Sequence, residues 1–200
     1  MKQASEGIGT NTGLIETAVI ETAVIETAVI ETERLRLRPH RAADWVASIA
    51  LWGDESVTRY IGGRPQTPEE CWQRLLRYAG HWTLLGFGYW AVEEKETGCF
   101  LGDVGLSDFR RTLPADLGFS TAPEVGWVLT PACHGRGYAT EAVRAALAWG
   151  ERHLGAQRFV CMIHPDNHAS ARVAEKTGFT PYARAEYHGA PAVLYERLSR

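Results

Sequence analysis

Glu124-Val125-Gly126-Trp127-Val128-Leu129, then Pro131, then His134-Gly135-Arg136-Gly137-Tyr138-Ala139-Thr140, set an apolar extended run against a loop bracketed by two glycines. Beyond the loop, Ala139, Ala142, Val143, Ala146, Leu147, Gly150 and Leu154 recur at helical spacing, while Glu141, Arg144, Glu151 and Arg152 fall off that face. The order is strand, loop, amphipathic helix. Two glycines let a backbone approach a ligand closely, and the amides at a helix start point outward with partial positive charge, a seat for phosphate or pyrophosphate. Arg136 adds a charge-assisted contact and Thr140 a hydroxyl. Gly-Arg-Gly also serves as a plain turn into a helix, so the loop alone leaves both readings open. No Gly-Lys-Ser/Thr follows, and the third glycine of a dinucleotide fingerprint falls on Thr140, which excludes those two phosphate loops.

Downstream, Arg158–Ile163 is an apolar strand, Asn167–Thr177 a helix closed by Gly178, and Ala192–Leu198 a last strand. Upstream, Leu35 and Leu37 alternate with Arg34, Arg36 and Arg38 until Pro39 stops the strand. Asp44–Trp52 reads as a short helix. Thr67-Pro68-Glu69-Glu70 starts another that runs to about Trp82, with Thr67 as cap and acids at the positive end. Gly88–Glu94 and Phe100–Phe109 form a hairpin around Glu96-Thr97-Gly98, followed by a loop from Arg110 to Ala122. The fold class expected is mixed α/β.

The chain of 200 residues is 45% hydrophobic and 22% charged, enough for one substantial core. Its net charge of -3 lies in the first thirty residues, where Lys2 stands against Glu6, Glu16, Glu21 and Glu26; the remainder is neutral. A neutral body lacks the basic face that drives binding to DNA or RNA, so no nucleic-acid partner is expected. Cys71, Cys99, Cys133 and Cys161 form no C-x-x-C pair, and no metal is expected from the isolated Cys161/His164 and Cys133/His134 spacings. A reducing cytoplasm fits this usage. No apolar stretch reaches the ~20 residues of a membrane span, and no secretory signal opens the chain, so no membrane partner is expected. Residues 1–30 read as an extension carrying the pentapeptide Ile-Glu-Thr-Ala-Val at Ile15–Val19, Ile20–Val24 and Ile25–Val29, with Ile30-Glu31-Thr32 starting a fourth copy. A period of five defines no single buried face in helix or strand. The segment is either a weakly ordered duplication or a β-prone arm for a sheet edge.

The strand-and-loop segment resembles the coenzyme A motif of the GNAT superfamily of N-acetyltransferases. Asn167-His168-Ala169-Ser170, running on to Lys176-Thr177-Gly178-Phe179, is similar to the Asn-x-x-Ser … Lys-x-Gly-Phe helix of its RimJ/RimL-like branch, and Thr32–Arg38 is similar to that branch's opening strand. The resemblance covers about residues 31–200, the expected catalytic domain. It implies a splayed, mostly antiparallel sheet with acetyl-CoA as co-substrate between Glu124–Leu129 and Arg158–Ile163. It places pyrophosphate on the amides of Gly135, Arg136, Gly137, Tyr138, Ala139 and Thr140, and pantetheine along Val128, Leu129 and Thr130. His134 stands where the superfamily has Gln or Arg, which leaves that side chain's role open.

Acetyl transfer to an amine requires a base, an oxyanion stabiliser and protonation of the departing thiolate. Glu124 matches the family's acidic position and is the expected base; the alternative is an exposed carboxylate at a strand end. Asn167 and Ser170 are expected near the thioester, although Asn167 also suits a helix cap. Ala174 replaces the tyrosine that many members use as acid, so Ser170 or water is left to protonate the thiolate. The acceptor is expected near Tyr60–Gly63 and Tyr187–Gly189, with Trp82, Phe87, Tyr89 and Trp90 either lining that side or in the core. Protein N-termini, small-molecule amines and a non-catalytic acyl-CoA-binding module all remain open, as does a homodimer.

Overall fold

The structure, a computed structural model, describes residues 29–199. The repeat preceding Val29 lies outside the described residues. Its last triplet begins the sheet: β1 (Ile30–Glu31) pairs antiparallel with β2 (Leu35–Arg38), whose Leu35 and Leu37 are fully buried. After a 3-10 turn at Ala42–Asp44 come α1 (Trp45–Trp52), the single turn α2 (Glu55–Thr58) and α3 (Pro68–Leu85). A capping box starts α3: Glu70 N–H donates to the Thr67 hydroxyl at 3.2 Å and Thr67 N–H to the Glu70 carboxylate at 2.9 Å. Gly86, at φ 74°, ends it in the left-handed conformation. The hairpin β3 (Tyr89–Glu94) and β4 (Phe100–Ser107) follows, then β5 (Glu124–Leu129), α4 (Tyr138–Leu154), β6 (Arg158–Ile163), α5 (His168–Lys176), β7 (Thr180–Tyr187) and β8 (Ala190–Leu198).

The eight strands form one sheet in the order β1-β2-β3-β4-β5-β6-β8-β7. Every neighbouring pair is antiparallel except β5 and β6. The fold is the mixed α/β, mostly antiparallel arrangement expected. Side chains of alternate parity on β4 show which helices cover which face. Asp103 points to α1, accepting from Trp52 Nε1 at 2.9 Å and meeting His40 Nε2 at 2.9 Å, whereas Leu106 lies against Gly150 of α4. The helices therefore sandwich the sheet. Tyr138, Ala142, Val143, Ala146, Leu147, Trp149 and Gly150 form the buried face of α4, close to the face read from periodicity; Trp149 joins Trp82 and Trp90 in an edge-on cluster. Trp82, Tyr89 and Trp90 are thus core residues, with Phe87 packed against them.

Three elements are not evident in the sequence. β1 is two residues long and α2 is one turn. β7 contains Pro181, which argues against a strand, yet β7 is the sheet's edge and its register slips between Pro181 and Ala183. The loop after β4 carries two 3-10 turns, Ala115–Leu117 and Phe119–Thr121. Among the described residues no helix is long and apolar enough to cross a membrane.

Close packing of α4 on the sheet gives a direct test. A Cβ at Gly150 would lie 2.8 Å from both Leu106 Cδ1 and Phe159 Cε1, two side chains with no exposed surface. Gly→Ala in a helix gains about 1 kcal/mol in propensity, and overpacking costs about 1–3 kcal/mol. Gly150→Ala is expected to lower the denaturant midpoint, with a net loss on the order of 1 kcal/mol; a raised midpoint would show that the seat is loose.

Candidate active site

β5 and β6 run parallel and are registered at one pair only, Glu124 with Val160, supported by Val160 N–H donating to the Pro123 carbonyl at 3.1 Å. On its other side β5 is fully laddered to β4, from Ser107↔Glu124 to Gly102↔Leu129. Past Glu124 the two parallel strands therefore part, and the edge of β5 towards β6 carries no ladder. Main-chain groups left this way seek a partner, and an extended ligand is one kind of group that can pair with them. Val128 and Leu129, with Thr130 just beyond them, stand along that opening.

At the end of β5 the chain makes a 3-10 turn, Pro131–Cys133, and enters the loop before α4. Gly135 and Gly137 hold φ of 75° and 80°, which favours glycine, and Gly137 caps α4 without a side chain. The amides of the first turn therefore have no side-chain acceptor from the cap, and the space where a Cβ of Gly135 would stand is open. His134 turns its imidazole back, with Nε2 3.0 Å from the Leu129 carbonyl, so the loop is tied to the strand end. Arg136 meets Glu94 at 3.3 Å and Tyr138 at 4.7 Å from the ring centroid, and the Tyr138 hydroxyl donates to the same carboxylate. Those hydrogen bonds, Tyr138's first and then Thr97's, hold Glu94 below the usual carboxylate range. Arg34 braces the loop from behind, donating to the Arg136 carbonyl at 2.9 Å and to Glu141 at 2.8 Å. Ala139 and Thr140 are half-buried in the first turn of α4. Gly137 and Thr140 also border a groove of about 730 Å³ lined by charges of both signs, Arg34, Arg144, Arg152 and Lys176 with Glu31, Glu33 and Glu141; the sequence singles out none of the four basic residues for a ligand.

Beyond the end of β6 the chain turns into α5. Asn167 caps that helix, its Oδ1 accepting from Ser170 N–H at 3.1 Å. Of the two expectations for Asn167, the cap is the one present in the geometry. Ser170 is half-buried. Ala174 is fully buried and packs in the core.

Glu124 sits where the strands part, with only 8% of its surface exposed, and is no free strand-end carboxylate. Arg111 grips it from the loop after β4, Nε to Oε2 at 2.5 Å and Nη2 to Oε1 at 2.7 Å. Burial alone would lower the pKa of Arg111, but the hydrogen bonds and charge of Glu124 outweigh it and raise the value, so the guanidinium stays charged. Arg111 also lies 5.0 Å from the Phe109 centroid and 4.9 Å from that of Tyr187. Nothing in the local sequence singles it out, because it reaches Glu124 across an irregular loop. Gly126 shares the face of Glu124, and the Tyr89 hydroxyl occupies the place a Cβ there would take. Burial pushes Tyr78 up to about 12 and raises Tyr89 well above its ordinary value, so neither phenol ionises near neutral pH. A carboxylate offers about four lone-pair positions. Arg111 takes two, and Glu124 retains capacity for one more proton or water.

A family model described as an acetyltransferase (GNAT) domain matches residues 34–180. Among curated proteins, YkkB of Bacillus subtilis (strain 168) is 33% identical over 173 residues, covering 84% of this chain and 94% of its own length. The human alpha/beta-tubulin-N-acetyltransferase 9 is 35% identical over 154 residues, 72% of this chain and 68% of its own. Among solved structures, a protein described as a GnaT-family acetyltransferase from Bordetella pertussis has a TM-score of 0.74 at 34% identity, covering 85% of this chain and 99% of that one.

The ion pair makes its own prediction. Removing one partner of a buried pair leaves the other uncompensated, at a cost of about 3 kcal/mol or more. Arg111→Met should therefore destabilise the chain strongly in denaturant unfolding, and adding Glu124→Gln should recover part of that loss. Additive effects in the double variant would show that the two side chains are not coupled.

Proposed function

The chain belongs to the GNAT acetyltransferase family and is an acyltransferase, and from that premise we propose that it moves the acetyl group of acetyl-CoA by direct attack onto the α-amine of a peptide. One observation carries the reading: the parallel strands part immediately beyond a carboxylate, leaving an unladdered strand edge that leads to a glycine loop at a helix start. An extended, amide-bearing arm suits the edge of β5 at Val128, Leu129 and Thr130, and a pyrophosphate suits the amides of Gly135 to Thr140. Arg144, Arg152 and Lys176 on the adjoining groove, without a carboxylate partner among the described residues, offer further anion contacts.

In this reading Glu124, directly or through one water, takes the proton from the attacking amine. The amine nitrogen bonds to the thioester carbonyl carbon, main-chain N–H groups of the open β5 edge stabilise the oxyanion, and the C–S bond then breaks. Asn167 keeps the start of α5 in place. Ser170, or water beside it, gives the departing thiolate its proton; with a reference pKa near 8.5 the thiolate needs no strong acid. Deprotonating an α-amine of pKa near 7.8 costs about 1 kcal/mol at pH 7, against about 4–5 kcal/mol for a lysine amine near 10.4. The smaller cost favours an α-amine acceptor. The motif likeness to the RimJ/RimL-like branch and a relative named for acetylating tubulin also support a protein acceptor. Four unpaired cysteines, with Cys99 exposed, favour a reducing compartment.

Thiol release from acetyl-CoA tests this with peptides and small amines. Glu124→Gln leaves Arg111 unpaired, so its turnover is read on protein shown folded by acetyl-CoA binding; there kcat is expected to fall by at least about 100-fold, and unchanged turnover would remove Glu124 as base. Gly137→Val, which forces a β-branched residue to positive φ, should weaken acetyl-CoA binding by about tenfold or more. With an α-amine acceptor, kcat/KM should rise with pH and level off near pH 8, whereas a rise continuing through pH 9 would indicate a lysine-type amine.

A further inference from the structure

On the face of the sheet that carries Glu124, α3 and the loop before it line a cavity of about 440 Å³ bordered by Arg64, Gln66, Glu70, Gln73, Arg74 and Arg77. Its charges do not balance. Arg64 is neutralised by Glu70, at 2.5 and 2.9 Å. Arg111, which shares the Phe109 ring with Arg77, is neutralised by Glu124. Arg74 and Arg77 have no carboxylate within ion-pair distance among the described residues. Arg74 donates to the Gln66 side-chain oxygen at 3.1 Å and lies 3.6 Å over Trp52; Arg77 lies 5.1 Å from the Phe109 centroid and 5.9 Å from that of Tyr78. Arg77 reaches solvent at the cavity rim, yet crowding by protein atoms, and then repulsion from Arg74 and Arg111, hold its pKa below the ordinary arginine value.

Two planar guanidinium groups are thus oriented by aromatic faces, held near one another against their repulsion, and supplied with no internal counter-charge. Arginine forks of this kind match carboxylates. We propose that Arg77 and Arg74 bind a carboxylate on the acceptor, so that the preferred amines are acidic ones. Such a carboxylate belongs either to an Asp or Glu close behind a peptide's N-terminus or to a free amino acid. The same charges repel polyamines and aminoglycosides. This inference rests on the acetyl-transfer reading above and narrows its acceptor.

The test measures thiol release from acetyl-CoA by the full chain with matched acceptors: peptides carrying Glu or Gln at the second and third positions, a free amino acid and its amide, and spermidine. The expected result is kcat/KM at least about tenfold higher for the Glu peptide than for its Gln counterpart, with spermidine poorest. In Arg77→Gln that ratio should fall towards one through a raised KM, and Arg77→Lys should restore part of it. Preference for the free amino acid over its amide, with equal rates for the two peptides, would assign the carboxylate to a small molecule and still support the site. Equal rates within both pairs, or an Arg77→Gln effect alike on acidic and neutral acceptors, would overturn it. A second readout separates this failure from that of the enzymatic reading: calorimetric binding of an N-acetylated Glu peptide, which has no amine to react. Arg77-dependent binding without thiol release from any amine would retain the anion site and reject acetyl transfer to these acceptors. Thiol release without such binding would do the reverse.

Discussion

Between β5 and β6 the sheet is joined by one registered pair, Glu124 with Val160, and by the Val160 amide on the Pro123 carbonyl. A parallel ladder continued for three more residues would satisfy the main chain internally and close the opening. Ending it after one pair frees the β5 edge while β4 keeps that strand rigid on its other side. The loop to α4 and the segment leading to α5 both grow from the ends of the two strands that this divergence separates. A site on a laddered strand is held more firmly than one on loops, and here only one strand edge is given up to make it.

Charge is distributed on the same principle. On the α4 side, Arg34, Glu141, Arg136, Glu94 and Tyr138 form a connected set in which each ionised group has a partner. The set fixes the loop and leaves its amides outward. On the α1–α3 side, the Arg111–Glu124 pair sits beside arginines lacking carboxylates. On each face some cations are paired internally and others, Arg144, Arg152 and Lys176 on the first and Arg74 and Arg77 on the second, are left for a ligand to complete.

The elements nearest the opening were legible because their signals are local. The bounds of β5 and β6 agree with the apolar runs, α3 begins at the capping residues of Thr67–Glu70, and α4 buries the alanine-rich stripe. β7 was hidden by Pro181, since an edge strand tolerates a proline that a central strand does not. At the site, the loop and Glu124 were visible as a motif. Arg111, Arg74 and Arg77 were not, because their significance comes from tertiary neighbours: a carboxylate thirteen residues away across an irregular loop, and aromatic rings on other elements. The return of His134 to Leu129 is likewise a matter of geometry, and it gives that side chain a mooring role that the sequence left open.

The two-residue strand β1 has a meaning of a different kind. Ile30 packs against the core, Glu31 meets Arg36 and Lys95, and the Thr32 hydroxyl donates to Glu141 at 2.6 Å. This triplet is also the opening of the repeat, and whichever copy comes last is the one that continues into Glu33-Arg34-Leu35. Gain or loss of a whole five-residue unit would therefore present the same Ile-Glu-Thr to the sheet, so the boundary of the domain reads alike whatever the number of copies before it.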